Sequence, residues 1–208
     1  MSNKIHVGIT HGDTNGIGYE TILRMLEDPR LADLCTITLY GSAKAASFYR
    51  KALELPQIQF NRIDSAADAR DGSFNIINVV GEDLKIDPGI PSEAAGAAAF
   101  AALEAAVADL KEGNIDVLLT APIDKHSIQS DAFHFPGHTE YLQDALADDG
   151  NPTEAKALML LCAGNIRVAL ATAHMPLAQV PASLSKELIL EKLEQLDRSL
   201  RRDFAVQS

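Results

Sequence analysis

The sequence predicts an α/β fold in which a largely parallel sheet has helices on both faces. Strand-like apolar segments alternate with helix-like segments along the 208 residues, which is typical of an α/β sandwich. Residues Ile115–Thr120 form a nearly continuous apolar run, as expected of a central parallel strand that is covered on both faces. Because 47% of the residues are apolar, the chain has enough side chains to build a buried core.

The first half of the chain predicts four strands and two helices. A glycine-rich loop follows the first strand, and a helix then begins near Tyr19 and stops before Pro29. Ser42 is a suitable N-cap for a second helix that ends near Leu53. The predicted strands are Ile5–Thr10, Thr36–Tyr40, Gln57–Ile63 and Asn75–Val80.

The second half of the chain predicts a long helix, a strand, a hairpin and a last helix. Ser92 is a suitable N-cap for the long helix, and Glu93 in its first turn favours the helix dipole. Two apolar runs separated by Ala-Gly-Asn predict a hairpin, and apolar residues at helical spacing predict the last helix. The resulting elements are helix Ala94–Lys111, strand Ile115–Thr120, helix Tyr141–Leu146, strands Ala157–Cys162 and Ile166–Thr172, and a helix from near Ser185.

Composition and charge exclude several classes of protein. The 18 Lys and Arg residues against 29 Asp and Glu residues give a net charge of −11, which argues against a nucleic-acid binder and a polybasic membrane-surface protein. The chain has no apolar run of the length that a membrane span needs, and its first ten residues lack the apolar region of a signal peptide. Cys35 and Cys162 lie far apart in the sequence and form no CxxC motif. This spacing favours two reduced thiols in a cytoplasmic protein.

The first candidate for chemistry is the glycine-rich loop His11–Gly18 after the first strand. Its glycine spacing matches neither the dinucleotide fingerprint nor the P-loop. A glycine loop between a strand and a helix can present N–H groups to an anion. It can equally be a tight turn that needs a positive φ angle.

Two further candidates carry polar groups after the strand that ends at Thr120. Lys125 is placed to contact a phosphate as a point charge, or else it is a solvated surface residue. In Phe135–Glu140 an imidazole, a hydroxyl and a carboxylate are adjacent, with His138 and Thr139 at their centre. The alternative interpretation is a capped turn with Thr139 as the helix N-cap and His138 on the surface.

His174 is the last candidate, because it follows the predicted strand Ile166–Thr172. Ligands of open α/β sheets bind outside the carboxyl ends of the strands, and a neutral imidazole there can ligate a metal. A hydrogen-bonded loop histidine is the alternative. We expect the strand ends after residues 10, 120 and 172 to converge on one crevice.

Taken in order, these segments resemble the 4-hydroxythreonine-4-phosphate dehydrogenase family of vitamin B6 biosynthesis. The matching stretches are GDTNGIGYE at 12–20, TAPIDK at 120–125, FPGHTE at 135–140 and RVALATAHMPL at 167–177. The last two are the most specific. Thr14, Asn15 and Tyr19 stand where many relatives have Pro, Ala and Pro, and Ala121 replaces a common Gly.

The resemblance implies a three-layer α/β/α fold like that of isocitrate and isopropylmalate dehydrogenases, and a homodimer with a shared active site. It implies an enzyme dependent on NAD and a divalent metal (Zn, Mg or Co), which oxidises the substrate hydroxyl to a ketone. The β-keto acid then loses CO₂ to give 3-amino-2-oxopropyl phosphate. By the same likeness, His138 and Thr139 contact the substrate, His174 is the first of three metal-binding histidines, and Lys125 matches a recurrent lysine without an assigned role.

The family continues past Ser208 through Asn-Pro-His-Ala-Gly and Tyr-His-Asp-Gln segments that carry the other two metal histidines. The resemblance therefore implies that residues 1–208 are the N-terminal and central portion of a longer two-lobed dehydrogenase. Two other functions stay open. One is a related dehydrogenase of a phosphorylated four-carbon sugar acid such as 4-phospho-threonate, and the other is a non-catalytic domain that binds a phosphate ligand.

Overall fold

The computed structural model describes residues 4–147 and 156–206, which fall into two compact units divided after Ala147. In the first unit, five parallel strands form one sheet in the order β3-β4-β2-β1-β5. The strands are β1 (Ile5–Thr10), β2 (Cys35–Gly41), β3 (Phe60–Arg62), β4 (Phe74–Asn78) and β5 (Val117–Thr120). The helices are α1 (Gly18–Met25), α2 (Arg30–Leu34), α3 (Ala43–Ala52), α4 (Glu93–Glu112) and α5 (His138–Ala145).

Helices cover both faces of this sheet, which confirms the predicted fold class. Successive side chains of a strand point to opposite faces. On β2, Leu39 packs in a core cluster with residues of α1 and α3, whereas Tyr40 packs in a second cluster with residues of α4. Both side chains are fully buried. The sheet is therefore the middle layer of three.

The predicted helix starts in this unit have a local chemical cause. The hydroxyl oxygen of Ser42 accepts a hydrogen bond from the N–H of Ala45, and that of Ser92 accepts one from Ala95. Both serines have extended backbones, as N-caps do. Gly113 in the left-handed region ends α4.

The prediction that β5 is a central strand is wrong for the described residues. Strand β5 pairs with β1 alone and lies at an edge of the sheet. Val117 and Leu119 are 46% and 47% exposed. An apolar run indicates that a strand is suited to burial. It does not indicate which strands pair with it.

Other differences from the predicted elements are smaller. Helix α2 follows Pro29 and was not predicted, and the strand predicted over 57–63 is reduced to β3. Helix α5 begins three residues earlier than predicted, at His138. A short 3₁₀ turn also lies at Ala66–Asp68.

The second unit contains the predicted hairpin and the last helix. Strands β6 (Leu160–Ala163) and β7 (Ile166–Ala169) pair antiparallel through a turn at Gly164-Asn165. A 3₁₀ turn and α6 (Val180–Ser183) precede α7 (Lys186–Arg202), which starts where the sequence predicts and has Ser185 as its N-cap. None of these helices or strands buries a residue fully. Over both described ranges, no helix combines the length and apolar character that crossing a bilayer requires.

Candidate functional site

The loop after β1 lies directly against the loop after β5, as expected for the carboxyl ends of neighbouring parallel strands. The N–H of Asp13 donates to the carbonyl oxygen of Pro122 at 2.9 Å. Gly12 has a φ angle of +69°, and a Cβ atom there would overlap the same carbonyl oxygen. The tight-turn interpretation of the glycine loop is therefore confirmed at Gly12, where both backbone conformation and space require glycine.

Asn15 fixes the tip of the glycine loop to the segment before α4. Its side-chain oxygen accepts from the N–H of Asp87 at 2.9 Å, and its amide nitrogen donates to the carbonyl of Ile90 at 2.8 Å and to the hydroxyl of Ser92 at 3.3 Å. Its carbonyl oxygen also accepts from the N–H of Gly89 at 2.7 Å. With 3% exposure, Asn15 is a buried and well-satisfied clamp.

His11 supports the base of the glycine loop from inside the core. It is fully buried, stacks on Tyr19 with 5.4 Å between ring centroids, and places Nε2 3.2 Å from the carbonyl oxygen of Ala98 on α4. Because a carbonyl oxygen can only accept a hydrogen bond, Nε2 carries the proton and Nδ1 is unprotonated. Burial lowers the pKa of His11 from 6.5 to about 4, so this imidazole is neutral. The sequence placed His11 in the loop without indicating its burial.

Helix α4 also positions the loop that carries Lys125. A Cβ atom at Gly96 would overlap the carbonyl oxygen of Ser127, so the helix backbone touches this loop directly. Asp124 closes the turn by accepting from the N–H groups of His126 and Ser127 at 3.2 and 2.7 Å. Hydrogen bonds from Ser127 lower the pKa of Asp124, which keeps the carboxylate ionised.

Lys125, His138 and Thr139 come together at the start of α5. A Cβ atom at Gly137 would lie 3.9 Å from Nζ of Lys125, so the ammonium group is beside the first turn of the helix. Burial, and secondly the charge of Lys125, lower the pKa of the half-buried His138. The imidazole is therefore neutral at pH 7 and can accept a proton. The N-cap of α5 is Gly137, so the interpretation of Thr139 as the cap is wrong.

The three side chains keep their polar groups available. Among the described residues, Lys125, His138 and the hydroxyl of Thr139 have no hydrogen-bond or ion-pair partner. Thr139 and Lys125 are exposed. A cation, a neutral imidazole and a hydroxyl beside the first turn of a helix form an arrangement suited to an anionic, hydroxylated ligand.

An aromatic cluster fixes the segment that leads into α5. The rings of Phe100, Phe133, Phe135 and Tyr141 contact one another with centroids 5.5 to 5.8 Å apart. The side-chain nitrogen of Gln129 also donates to the carbonyl oxygen of Phe135 at 3.0 Å. This packing holds the backbone of His138 in place and leaves its side chain half-buried.

His174 lies in the second unit, five residues beyond the end of β7. It is exposed and has no hydrogen-bond partner among the described residues. Its φ angle of +55° lies in the left-handed region, which is uncommon for a residue other than glycine. Strand β7 belongs to an antiparallel hairpin, so the rule for carboxyl ends of a parallel sheet does not apply to it.

The sequence prediction of convergence is thus confirmed for the strand ends at residues 10 and 120. The third strand end, with His174, stays a prediction. Within residues 4–147 and 156–206, no group of three His, Cys, Asp or Glu side chains is placed to hold a metal ion. A single exposed imidazole does not complete a catalytic metal site.

Comparison with known proteins decides the family. The family model described as pyridoxal phosphate biosynthetic protein PdxA matches residues 33–208. The chain belongs to this family. The family resemblance seen in the sequence motifs is thereby confirmed.

Curated relatives of the PdxA family are similar over almost the whole chain. A 4-hydroxythreonine-4-phosphate dehydrogenase of Bacteroides thetaiotaomicron is 45% identical over 204 residues, which are 98% of this chain and 54% of the relative. The enzyme of the same name from Sulfurihydrogenibium is 32% identical over 97% of this chain and 60% of its own length. The chain thus spans about half to three fifths of these relatives.

Solved structures of the PdxA family agree with the fold. The chain matches a 4-hydroxythreonine-4-phosphate dehydrogenase from Burkholderia phymatum with a TM-score of 0.80 and 27% identity, over 95% of this chain and 58% of that chain. It matches the corresponding protein from Klebsiella pneumoniae with a TM-score of 0.78 and 25% identity, over 97% and 59% of the two chains.

Proposed function

We propose that the chain is part of an NAD- and metal-dependent dehydrogenase. The enzyme oxidises and decarboxylates 4-hydroxythreonine 4-phosphate to 3-amino-2-oxopropyl phosphate on the route to pyridoxal phosphate. The observation that carries the proposal is the 45% identity, over 98% of the chain, to a protein named for this substrate. The free polar groups at the start of α5 support the proposal independently.

His138, Thr139 and Lys125 are the proposed substrate contacts of this chain. The neutral imidazole of His138 accepts a hydrogen bond from a substrate hydroxyl, and the Thr139 hydroxyl hydrogen-bonds a second oxygen. The Lys125 ammonium group attracts an anionic group of the substrate as a point charge. Because Lys125 also keeps His138 neutral, the two residues act together on an anionic hydroxy acid.

His174 is the proposed metal ligand. The described residues do not complete a metal site, and they include no recognised dinucleotide fingerprint. Both groups therefore need ligands in addition to those described. This fits the further proposal that the chain is the N-terminal and central portion of a longer two-lobed dehydrogenase, in line with the share of its relatives that it spans.

The proposal includes a homodimer with a shared active site, in the cytoplasm. The second unit exposes apolar side chains on both its hairpin and α7, and a second copy would bury such surface. The exposed residues are Leu161, Ile166, Val168, Ile189 and Leu193. Cys35 and Cys162 are free thiols, which fits a reducing compartment.

Two alternative functions can be distinguished from the proposed one, the first by its substrate and the second by the absence of turnover. A dehydrogenase of a phosphorylated sugar acid such as 4-phospho-threonate would use the same contacts on a hydroxyl in place of an amine. A non-catalytic phosphate-ligand-binding domain would bind without turnover.

The test is a titration of the 208-residue chain with 4-hydroxythreonine 4-phosphate and, separately, with 4-phospho-threonate. The imidazole resonances of His138 report binding by NMR. NADH absorbance in the presence of NAD and a divalent metal reports turnover. His138→Ala is the test variant, and His134→Ala, an exposed histidine four residues earlier, is the matched control.

We expect saturable shifts of the His138 resonances with the amino substrate, which are kept in His134→Ala, whereas His138→Ala should weaken the binding measured by calorimetry. NADH formation would identify a self-sufficient enzyme, and binding without NADH a substrate-binding portion. Preference for 4-phospho-threonate would reassign the substrate. No shift at His138 with either compound would overturn the site.

A further inference from the structure

A surface depression lies at the carboxyl ends of strands β2, β4 and β3. These strands lie on the side of the first-unit sheet that is away from β5. This depression, called here the α3 groove, has a volume of about 610 Å³. Helix α3 forms one wall, the end of β3 forms the floor, and the segment after β4 forms the other wall. Its principal lining residues are Lys44, Phe48, Lys51, Arg62, Glu82 and Lys85.

The α3 groove is basic, although the chain as a whole has a net charge of −11. Four cationic side chains line it against one carboxylate. Two of the four have internal partners. The ammonium group of Lys44 donates to the carbonyl oxygens of Glu82 and Leu84 and so holds the opposite wall, and Lys85 pairs with Asp87 at 2.6 Å.

The other two cations have no internal partner. Among the described residues, Lys51 and Arg62 form no side-chain hydrogen bond and no ion pair. Arg62, the last residue of β3, also lines an adjoining depression that contains Arg50. Cations that share a concave surface without counter-charges raise the local concentration of anions.

A flat apolar side chain lies between these cations. Lys44, Phe48 and Lys51 follow one another at spacings of four and three residues, so they share one face of α3. The Phe48 ring is 39% exposed and is held by an edge-to-face contact with Tyr49, whose hydroxyl donates to the carbonyl oxygen of Thr14. The exposed ring therefore has a fixed support.

We propose that the α3 groove binds a nucleoside monophosphate, with the phosphate between Lys51 and Arg62 and the base against Phe48. Charge-assisted contacts from Lys and Arg are the strong ones for phosphate, and every base can stack on an aromatic ring. The groove is separate from the proposed substrate contacts. Strands β4 and β5 are three positions apart in the sheet, which is about 14 Å at the usual strand spacing.

The probe is adenosine 5′-monophosphate, titrated into the 208-residue chain by calorimetry at low ionic strength. Adenosine and inorganic phosphate are titrated separately to divide the contributions of base and phosphate. The test variants are Lys51→Ala and Arg62→Ala. Lys111→Ala is the matched control for Lys51, because both lysines are exposed in the last turn of a helix, and Arg70→Ala is the exposed control for Arg62 outside the groove.

We expect saturable 1:1 binding that Lys51→Ala and Arg62→Ala each weaken about tenfold, the usual effect of losing one charge-assisted contact. The two controls should leave the affinity unchanged. Phe48→Leu should weaken the mononucleotide and leave inorganic phosphate unchanged. Thermal unfolding of each variant shows that it is folded.

Three results would overturn the proposal: no saturation with the mononucleotide, equal losses in test and control variants, or binding of the mononucleotide no tighter than that of inorganic phosphate. None of these readouts depends on dehydrogenase activity, so the outcome is independent of the proposed reaction.

Discussion

The ammonium group of Lys125 lies beside the first turn of α5 and lowers the pKa of His138 at the start of that helix. The two residues are 13 positions apart in the sequence, and the aromatic cluster around Phe133 brings them together. A proton on His138 is thus disfavoured twice, by burial and by a neighbouring positive charge.

Replacing Lys125 should raise the pKa of His138. In Lys125→Met the charge is lost while the burial of the imidazole remains, so the pKa should rise and still stay below its ordinary value. An NMR pH titration of the His138 Cε1 proton measures the change. Lys111→Met removes a lysine charge at the end of α4 and should leave the titration unaltered. An unchanged pKa in Lys125→Met would show that the charge of Lys125 does not act on His138.

Stability of the first unit should fall between pH 6.5 and pH 4. The unfolded chain protonates His11 near pH 6.5, whereas burial lowers its folded pKa to about 4, so the unfolded state binds more protons in this window. The difference corresponds to about 3 kcal/mol of unfolding free energy that is present above the window and lost as the pH falls through it.

His11→Gln should remove most of this pH dependence, because glutamine retains an N–H donor for the carbonyl of Ala98 and does not ionise. Urea unfolding followed by circular dichroism at a series of pH values measures the slope. A smaller slope should remain, since burial also lowers the pKa of His6 and His138. His134→Gln is the exposed control, and a slope unaffected by His11→Gln would contradict the assignment.

Gly12→Ala should destabilise the protein far more than Gly72→Ala. Both glycines have a φ angle of +69°, but a Cβ atom at Gly72 meets nothing within 4 Å, whereas at Gly12 it overlaps the carbonyl oxygen of Pro122. Gly72→Ala should cost about 1 kcal/mol for the left-handed backbone alone. Gly12→Ala should cost about 2 to 3 kcal/mol more because the two loops must separate. Equal losses in thermal denaturation would show that the close contact with Pro122 is absent.

Asn15→Ala should loosen the segment before α4. The substitution leaves the N–H of Asp87 and the carbonyl of Ile90 without their buried partners, at a cost of about 2 to 4 kcal/mol. Hydrogen exchange should accelerate at the N–H groups of Asp87 and Gly89. Asn114→Ala, which loses only contacts near the end of α4, is the control. Unchanged exchange at Asp87 in Asn15→Ala would contradict the clamp.

Much of the fold follows from local sequence signals. Strand β1 has the predicted bounds, and Ser42 and Ser92 begin the helices that they were expected to cap, because capping depends on residues close in the chain. The last helix also starts near Ser185, as predicted. Pairing between distant segments is not encoded locally. The edge position of β5 therefore could not be derived from its apolar run. Strand β7 likewise ends at Ala169, three residues before the predicted end, where its pairing with β6 stops.

The candidate site, like the fold, was predictable from the sequence only in part. Motif position identified Lys125, His138 and Thr139, and the rule for parallel strand ends brought the loops after residues 10 and 120 together. The burial of His11 and the contacts of Asn15 were not predictable, since both depend on α4 and on the segment before it. A histidine at the end of a buried strand, beside a glycine-rich turn, is the signal that could have indicated the first.

The tyrosines of this protein, which determine its intrinsic fluorescence, are unevenly distributed along the chain. The sequence has four tyrosines and no tryptophan, and the tyrosines are Tyr19, Tyr40, Tyr49 and Tyr141, all within residues 1–147. Tyr19 and Tyr49 stack with nearly parallel rings at the α1–α3 contact. Tyrosine emission therefore originates in the first unit alone, so unfolding of the second unit is silent in tyrosine fluorescence and can be followed separately by a dye attached to the exposed thiol of Cys162.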